Sequence, residues 1–315
     1  MKPFVTAVVL ILSLLLAPQV WAALPVTAAL TLPHDDVLPG VPFDLVVTYT
    51  NVSDKPIIID SARATLVVTF ANGDTVVMHK PPDANGQWTI RGSRPVRLGP
   101  GESVQHAASW EDGSIPNWFF FHGPSFSGPG TYDIALDLRI SDEEQTLGTV
   151  RTPAVTLHRV EPVGIDAELW KRMQEVSGGR WTDGSFRTAG ETLANEIIQI
   201  HPSSGYYPYV VAFRAFQWQE KNRNAIPILL EAAERFPSSP AYPYLLSAAA
   251  DCARAEGLEA QRKGKLDEAK EYYTLAETKF REALATKSVA IRKSSEQGLR
   301  NVANGMERVT KKPMR

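Results

Sequence analysis

The residues most able to carry chemistry are six histidines, His34, His79, His106, His122, His158 and His201, and one cysteine, Cys252. A helical metal pair needs ligands about three to five residues apart on one face. No two of these histidines meet that spacing. His34-Asp35-Asp36 is the densest ligand-like cluster, but it precedes the turn Leu38-Pro39-Gly40, where polar residues are expected anyway. Gly123-Pro124-Ser125-Phe126-Ser127-Gly128 misses the Gly-x-Ser-x-Gly spacing of a nucleophile elbow by one residue. Neither common phosphate-binding glycine loop occurs. The expectation is therefore no catalytic residue, no metal ligand and no cofactor. A triad drawn from distant loops is defined by geometry rather than spacing, so a hydrolase built at a domain junction from His122 and His201 with nearby acids stays open as an alternative.

A second unusual stretch is Ile115-Pro116-Asn117-Trp118-Phe119-Phe120-Phe121-His122-Gly123. Trp118, Phe119, Phe120 and Phe121 cannot all face one sheet. Exposed, they would make an apolar recognition patch, because large aromatics anchor interfaces. A protease inhibitor acting through Trp118–Phe121 is a second alternative. The bland reading has the loop folding over the end of a domain.

The elements that must position these residues begin with a repeat. Pro202-Ser203-Ser204 then Tyr207-Pro208-Tyr209-Val210-Val211-Ala212 nearly recurs 35 residues later, as Pro237-Ser238-Ser239 then Tyr242-Pro243-Tyr244-Leu245-Leu246-Ser247. Such a period marks stacked helical hairpins, since one hairpin cannot bury its own apolar face. Ala225, Leu229, Ala232 and Pro237 follow a small, large, small, stop spacing. Alanines let two helices approach, the large residue fills the gap, and proline ends the helix. On these residues the chain resembles the tetratricopeptide repeat (TPR) family over roughly 165–308, best over 202–285. It departs from the pattern at Phe213, where the family has a small residue, and Pro227 is expected only a few residues into its helix. The next unit runs from Tyr244 past Glu256 to Gly264 before Leu266-Asp267-Glu268-Ala269, so either its first helix is about two turns longer or a loop intervenes. The second helix carries Tyr273, Ala276, Phe280 and Ala283. Before the repeats, Asp166 is expected to cap a helix through Val176, and Thr188–Ile200 to form another. Ser288–Glu307 closes the far end.

The first half has period two. Phe43, Leu45, Val47 and Tyr49 alternate with more polar residues as in a half-buried strand. Ile57–Ile59, Leu66–Phe70, Thr75–Met78, Gln87–Ile90, Val96–Leu98, Ser103–Trp110, Tyr132–Ile140 and Thr149–Leu157 are further strands. Asn72-Gly73 is a hairpin signal and Gly99-Pro100-Gly101 a turn. The pattern implies two packed antiparallel sheets. Gly130-Thr131-Tyr132-Asp133-Ile134 resembles the corner of immunoglobulin-like domains, in which a tyrosine hydroxyl ties back to backbone. With Leu98–Ser103 and Trp110 it also looks like bacterial immunoglobulin-like modules.

Lys2, the apolar run Phe4–Leu16 and the small residues of Val20-Trp21-Ala22 read as a signal peptide cleaved after Ala22. The run is short for a membrane span, and no other stretch suits one. A lone Cys252 in an exported chain means stabilisation by packing, which fits a bacterial periplasm or secretion. Asn51-Val52-Ser53 would be a glycosylation site only in a glycosylating host. Residues 23–160 carry 9 basic and 15 acidic side chains, and 161–315 carry 23 and 20. The basic last thirty residues could face an acidic surface.

The fold class expected is thus multidomain, all-β plus all-α: signal peptide 1–22, an immunoglobulin-like antiparallel β-sandwich over 23–160, and a TPR-like α-helical hairpin array over 161–315. The function expected is that of an exported, non-enzymatic scaffold for protein-protein interaction in the envelope. Its partner would be a protein or peptide rather than nucleic acid, gripped near Tyr206, Tyr207, Tyr209, Phe213, Arg214 and Trp218, or at Trp118–Phe121.

Overall fold

A computed structural model describes residues 24–41, 43–78, 95–109, 128–142, 145–177, 184–217 and 222–310. The leader segment, the Gln87–Ile90 strand and the Trp118–Phe121 loop lie outside the described residues. Ten strands are described: β1 Val26–Thr31, β2 Asp36–Val37, β3 Asp44–Asn51, β4 Ile57–Phe70, β5 Thr75–Met78, β6 Val96–Leu98, β7 Ser103–Ser109, β8 Gly130–Ser141, β9 Thr146–Arg151 and β10 Val155–Arg159. They make a three-stranded sheet, β1-β3-β7, and a seven-stranded sheet whose main path is β2-β10-β8-β4-β5, with β6 on β4 and β9 on β8. Every pairing is antiparallel except one: β2 lies parallel to β10, His158 opposite Asp36 and Arg159 opposite Val37. The larger sheet is therefore mixed, and the expectation of purely antiparallel sheets is corrected at that edge.

The strand boundaries follow from the phase of burial. Leu45, Val47 and Tyr49 of β3 and Ile134, Leu136, Leu138 and Ile140 of β8 are buried at alternate positions. In β4 the least exposed residues are odd-numbered at Ile57 and Ile59 but even-numbered at Leu66 and Val68, with Val67 between them also buried. The phase break is a bulge: Asp60 pairs with Arg139 and Thr65 with Asp137, so three extra residues sit in β4. An odd insertion exchanges the two faces, which is why one long strand reads as two. The reverse holds for Thr149–Leu157. Pro153 has no N–H for the ladder, so the run divides into β9 and β10. The buried Thr152 fills the gap by accepting the Leu136 N–H on its Oγ1 at 3.0 Å.

Two polar devices fix the turns. The Tyr132 hydroxyl donates to the Gly128 carbonyl at 2.9 Å, the tie-back expected of that corner. Asn51 is fully buried, and its Nδ2 donates to the carbonyls of Lys55, Leu98 and Gly99 at 2.7, 3.1 and 3.0 Å. Its Oδ1 accepts from the Ser53 N–H and hydroxyl. A side chain so enclosed is no glycan acceptor in the folded chain.

Seven helices are described after the sheets: α1 Ile165–Ser177, α2 Gly184–Ile200, α3 Tyr207–Gln217, α4 Asn222–Arg235, α5 Tyr242–Arg262, α6 Leu266–Ala283 and α7 Val289–Thr310. They pack as neighbouring pairs. The repeated text gives one turn twice. Tyr207 N–H donates to Ser204 O and Ser204 N–H to His201 O; Tyr242 N–H donates to Ser239 O and Ser239 N–H to Phe236 O. Each serine hydroxyl also accepts a following N–H, from Tyr206 and from Ala241. Tyr207 and Tyr242 thus open successive hairpins identically. The longer second unit is resolved in favour of a long first helix, because α5 is continuous over 21 residues. Pro227 stands sixth in α4. That is just past the turn whose N–H groups have no intrahelical acceptor, so the bond to the Arg223 carbonyl is lost.

Ala225, Leu229 and Ala232 of α4 are buried, as are Ala269, Tyr273, Ala276 and Phe280 of α6 at the same spacing. The large rings of α6 need room on both sides. Gly257 of α5 and Gly305 of α7 provide it for Tyr273, and Gly298 of α7 for Phe280. A Cβ on Gly305 would stand 2.5 Å from the Tyr273 ring. The buried apolar residues of sheets and helices form one continuous cluster.

Two measurements check this packing. Gly305→Ala in an exposed helix would stabilise by about 1 kcal/mol; here overpacking, roughly 1–3 kcal/mol, should make it net destabilising in denaturant unfolding. Asn51→Asp, the same shape without its N–H donors, should cost about 3 kcal/mol or more, since it sets a charge against three carbonyls.

Candidate functional site

The polar groups that converge most closely lie where the sheets meet the helices. The segment from Leu38 to Asp44 leaves the two-residue strand β2 and runs along the helices before β3 begins. Val37, Val41 and Phe43 around it are buried. Its left-handed Gly40 (φ +76°) lies against α1, with the Trp170 ring 2.7 Å from where a Cβ would stand. Leu38 packs at Gly205, in the turn before α3, where a Cβ would come within 2.8 Å of it. The Tyr206 hydroxyl donates to Pro39 O at 3.1 Å, and the Tyr244 hydroxyl of α5 donates to Asp44. The helical half thus holds this segment through one backbone carbonyl and its one carboxylate.

Arg159, the last residue of β10, anchors the segment from the sheet side. It is 2% exposed. Its Nη1 donates to Leu38 O and Val41 O, each at 2.9 Å, and its guanidinium stands 5.4 Å from the Phe43 ring centre. Burial pushes Arg159 down to about 10, against the opposing effect of the Tyr132, Tyr206 and Tyr209 hydroxyls. It remains a cation at neutral pH. Burial likewise pushes the Tyr206 and Tyr209 phenols well above their ordinary range. Asp166 is engaged across the helices: its carboxylate accepts from the Ser204 hydroxyl at 2.6 Å and the Gly205 N–H at 3.0 Å. The carboxylate expected to cap α1 therefore fastens the turn into α3.

The sequence-predicted residues divide as follows. Tyr206, Tyr207 and Tyr209 are all buried. Tyr206 and Tyr209 belong to the junction, while Tyr207 packs against Phe236 and under Arg235. Arg214, half-buried, donates to Asn195 Oδ1 at 2.8 Å. Phe213 is in α3, but its side chain, like Trp218, Trp118, Phe119, Phe120 and Phe121, lies outside the described residues. So does His122. His201 Nε2 is 3.6 Å from Glu196, which Arg172 clamps from the other side. That clamp holds the Glu196 carboxyl below the usual carboxylate range. Among the described residues no three His, Cys, Asp or Glu side chains could hold a metal ion, and no helix is long and apolar enough to cross a membrane. Burial pushes the Cys252 thiol up to about 11, so it is not a thiolate at neutral pH.

Sequence reasoning missed Asp44, Arg159, Trp170 and Tyr244 as one cluster. The available signal was the second Tyr-Pro-Tyr: Tyr209 and Tyr244 are equivalent positions of the repeat, and both stand within the field or reach of Asp44.

Burying Val41 and Phe43 of this segment contributes about 1.5–3 kcal/mol each, roughly 3 kcal/mol or more together.

No known family and no curated protein matches the sequence. Among solved structures, the structural-genomics target SoR45 is 9% identical, covering 44% of this chain and 88% of that one at a TM-score of 0.28. The C-terminal domain of wzt is 7% identical, over 44% and 75%, at 0.29. The putative ApaA protein of Bordetella pertussis is 11% identical, over 44% and 95%, at 0.25. Likenesses this weak carry no argument about function.

Two results are expected here. Arg159→Met keeps much of the volume but removes both bonds to the segment; a loss of roughly 3 kcal/mol or more in urea unfolding is expected. His34 is half-buried beside Asp44, Asp35 and Lys287, and burial lowers its pKa. Its folded value lies below the unfolded one, so the unfolded chain binds the proton first. Its effect on stability is absent above pH about 6.5 and unfavourable as pH falls below it. His34→Gln should flatten the melting-temperature profile in that window.

Proposed function

We propose that this chain is an exported, non-enzymatic scaffold of the bacterial envelope, in which an immunoglobulin-like β-sandwich is mounted on a TPR-like helical array. The observation that carries this reading is the duplicated, hydrogen-bonded entrance turn at His201–Tyr207 and Phe236–Tyr242. Repeating units that bury their faces on one another make extended surfaces rather than pockets. The Tyr132–Gly128 tie supports the immunoglobulin-like part, and the matched alanines of α4 and α6 support the TPR-like part. The compartment rests on the leader-like start of the sequence.

The partner is a protein or peptide of the envelope. Tyr206 and Tyr244 are engaged by the chain's own Pro39 and Asp44 and Tyr209 is buried, so on this reading the partner surface is elsewhere. The basic far end suits an acidic surface: Arg300 and Arg308 of α7 are exposed, and Lys311, Lys312 and Arg315 follow. Of the histidines named for the hydrolase alternative, His201 follows α2 beside Glu196 and His122 lies outside the described residues.

Immobilised full chain should retain a specific envelope protein, with saturable binding. Arg300→Glu with Arg308→Glu should weaken it about tenfold or more, the size expected for an electrostatic interface. Retention of no envelope protein, or turnover of an envelope polymer or peptide by the purified chain, would overturn the reading.

A further inference from the structure

In a simple helical array each hairpin touches only its neighbours, so folding and unfolding pass along the stack unit by unit. This chain breaks that rule. Gly40 lies against Trp170 of α1, Leu38 against the turn before α3, Pro39 under Tyr206, and Asp44 under Tyr244 of α5. Farther along the sheets, Lys293 of α7 donates to the Gln105 carbonyl of β7 at 3.1 Å. These contacts join residues 167, 200 and 188 positions apart for Tyr206, Tyr244 and Lys293. The array is thus tied at α1 and at the turn before α3 to the loop that leads into β3, and at α5 and α7 to β3 and β7, which are partners in one sheet.

We infer that Leu38–Asp44, continued through β3 and β7, is a strap that makes the sheets and all the helices a single cooperative unit, so that an event at one end of the array is felt at the other. The inference is independent of what the chain binds. Two features favour it. The strap is seated on buried side chains rather than on solvated ones. Three of its polar contacts also use fixed backbone carbonyls, those of Leu38, Pro39 and Val41, which leave no rotamer freedom on the acceptor side. A partner on α7 would then alter exchange in α1, and a partner on the sheets would alter exchange in α5.

The test is hydrogen exchange by mass spectrometry on the full chain, with denaturant unfolding followed by circular dichroism. In the wild type, peptides from α1, α3, α5 and β3 should share one slowest opening, and unfolding should be one transition. Gly40→Val drives a branched side chain into Trp170 at a left-handed backbone position and should eject the strap. Exchange in α1 and α3 should then rise at least tenfold while α5 to α7 keep near-wild-type protection, and unfolding should separate into two steps. Two steps already in the wild type would overturn the inference. So would a Gly40→Val chain that still unfolds in one step with all helices weakened alike. If Gly40→Val does not fold, the double variant Tyr244→Phe, Lys293→Met leaves the buried strap in place and cuts its far ties. Exchange in α5 to α7 should then part from exchange in β3; continued identity of the two would equally overturn it.

Discussion

The structure depends on how one buried guanidinium is satisfied. Arg159 lies at the end of the last strand with almost no access to water, and its Nη1 donates to two carbonyls of a passing loop. That arrangement works only while Leu38 and Val41 stay in place. They stay because Val41 and Phe43 are buried and because Gly40 lets the chain lie flat on Trp170. A buried cation with polar partners adds little to stability by itself, but removing the partners is costly. The loop between β2 and β3 is thereby fixed from below by the sheets and from above by the helices.

This constraint changes how the helical half can be used. Its repeated tyrosines make the face where a partner would first be sought. Tyr206 and Tyr244 instead bond the chain's own Pro39 and Asp44, and Tyr209 is buried beside them. What remains outside that face is the outer faces of α4 and α6, which carry ion pairs along the helix, and the end at α7. An array with an internal occupant is also less free to flex than one with an empty face.

Much of the fold was readable because local rules and burial agree. The duplicate Tyr-Pro-Tyr produced duplicate turns, and the alanine spacing of α4 and α6 produced buried positions. The two strand errors have one cause. Period-two reading assumes that phase is kept, and β4 changes phase at its bulge while Thr152-Pro153 halts a run whose letters still look extended. The parallel β2–β10 pair, two residues long, has no periodic signature. Nor did the sequence show the junction as a site, because its members, Gly40, Asp44, Arg159, Trp170, Tyr206 and Tyr244, come from six places and meet only through tertiary packing. Arg159 falls past the expected end of the last strand at Leu157, and Asp166 reads as a helix cap, when its carboxylate serves a turn 38 residues away.

The central claim is that sheets and helices share one interior through this junction. A double-mutant cycle across it is the most direct measurement: Asp44→Asn, Tyr244→Phe and the pair, each unfolded in urea. Direct contact predicts that the two losses are non-additive by roughly 1 kcal/mol or more, the size expected of side chains in one hydrogen-bonded contact. Losses that simply add, within about 0.3 kcal/mol, would show the residues acting independently and would contradict a shared interior.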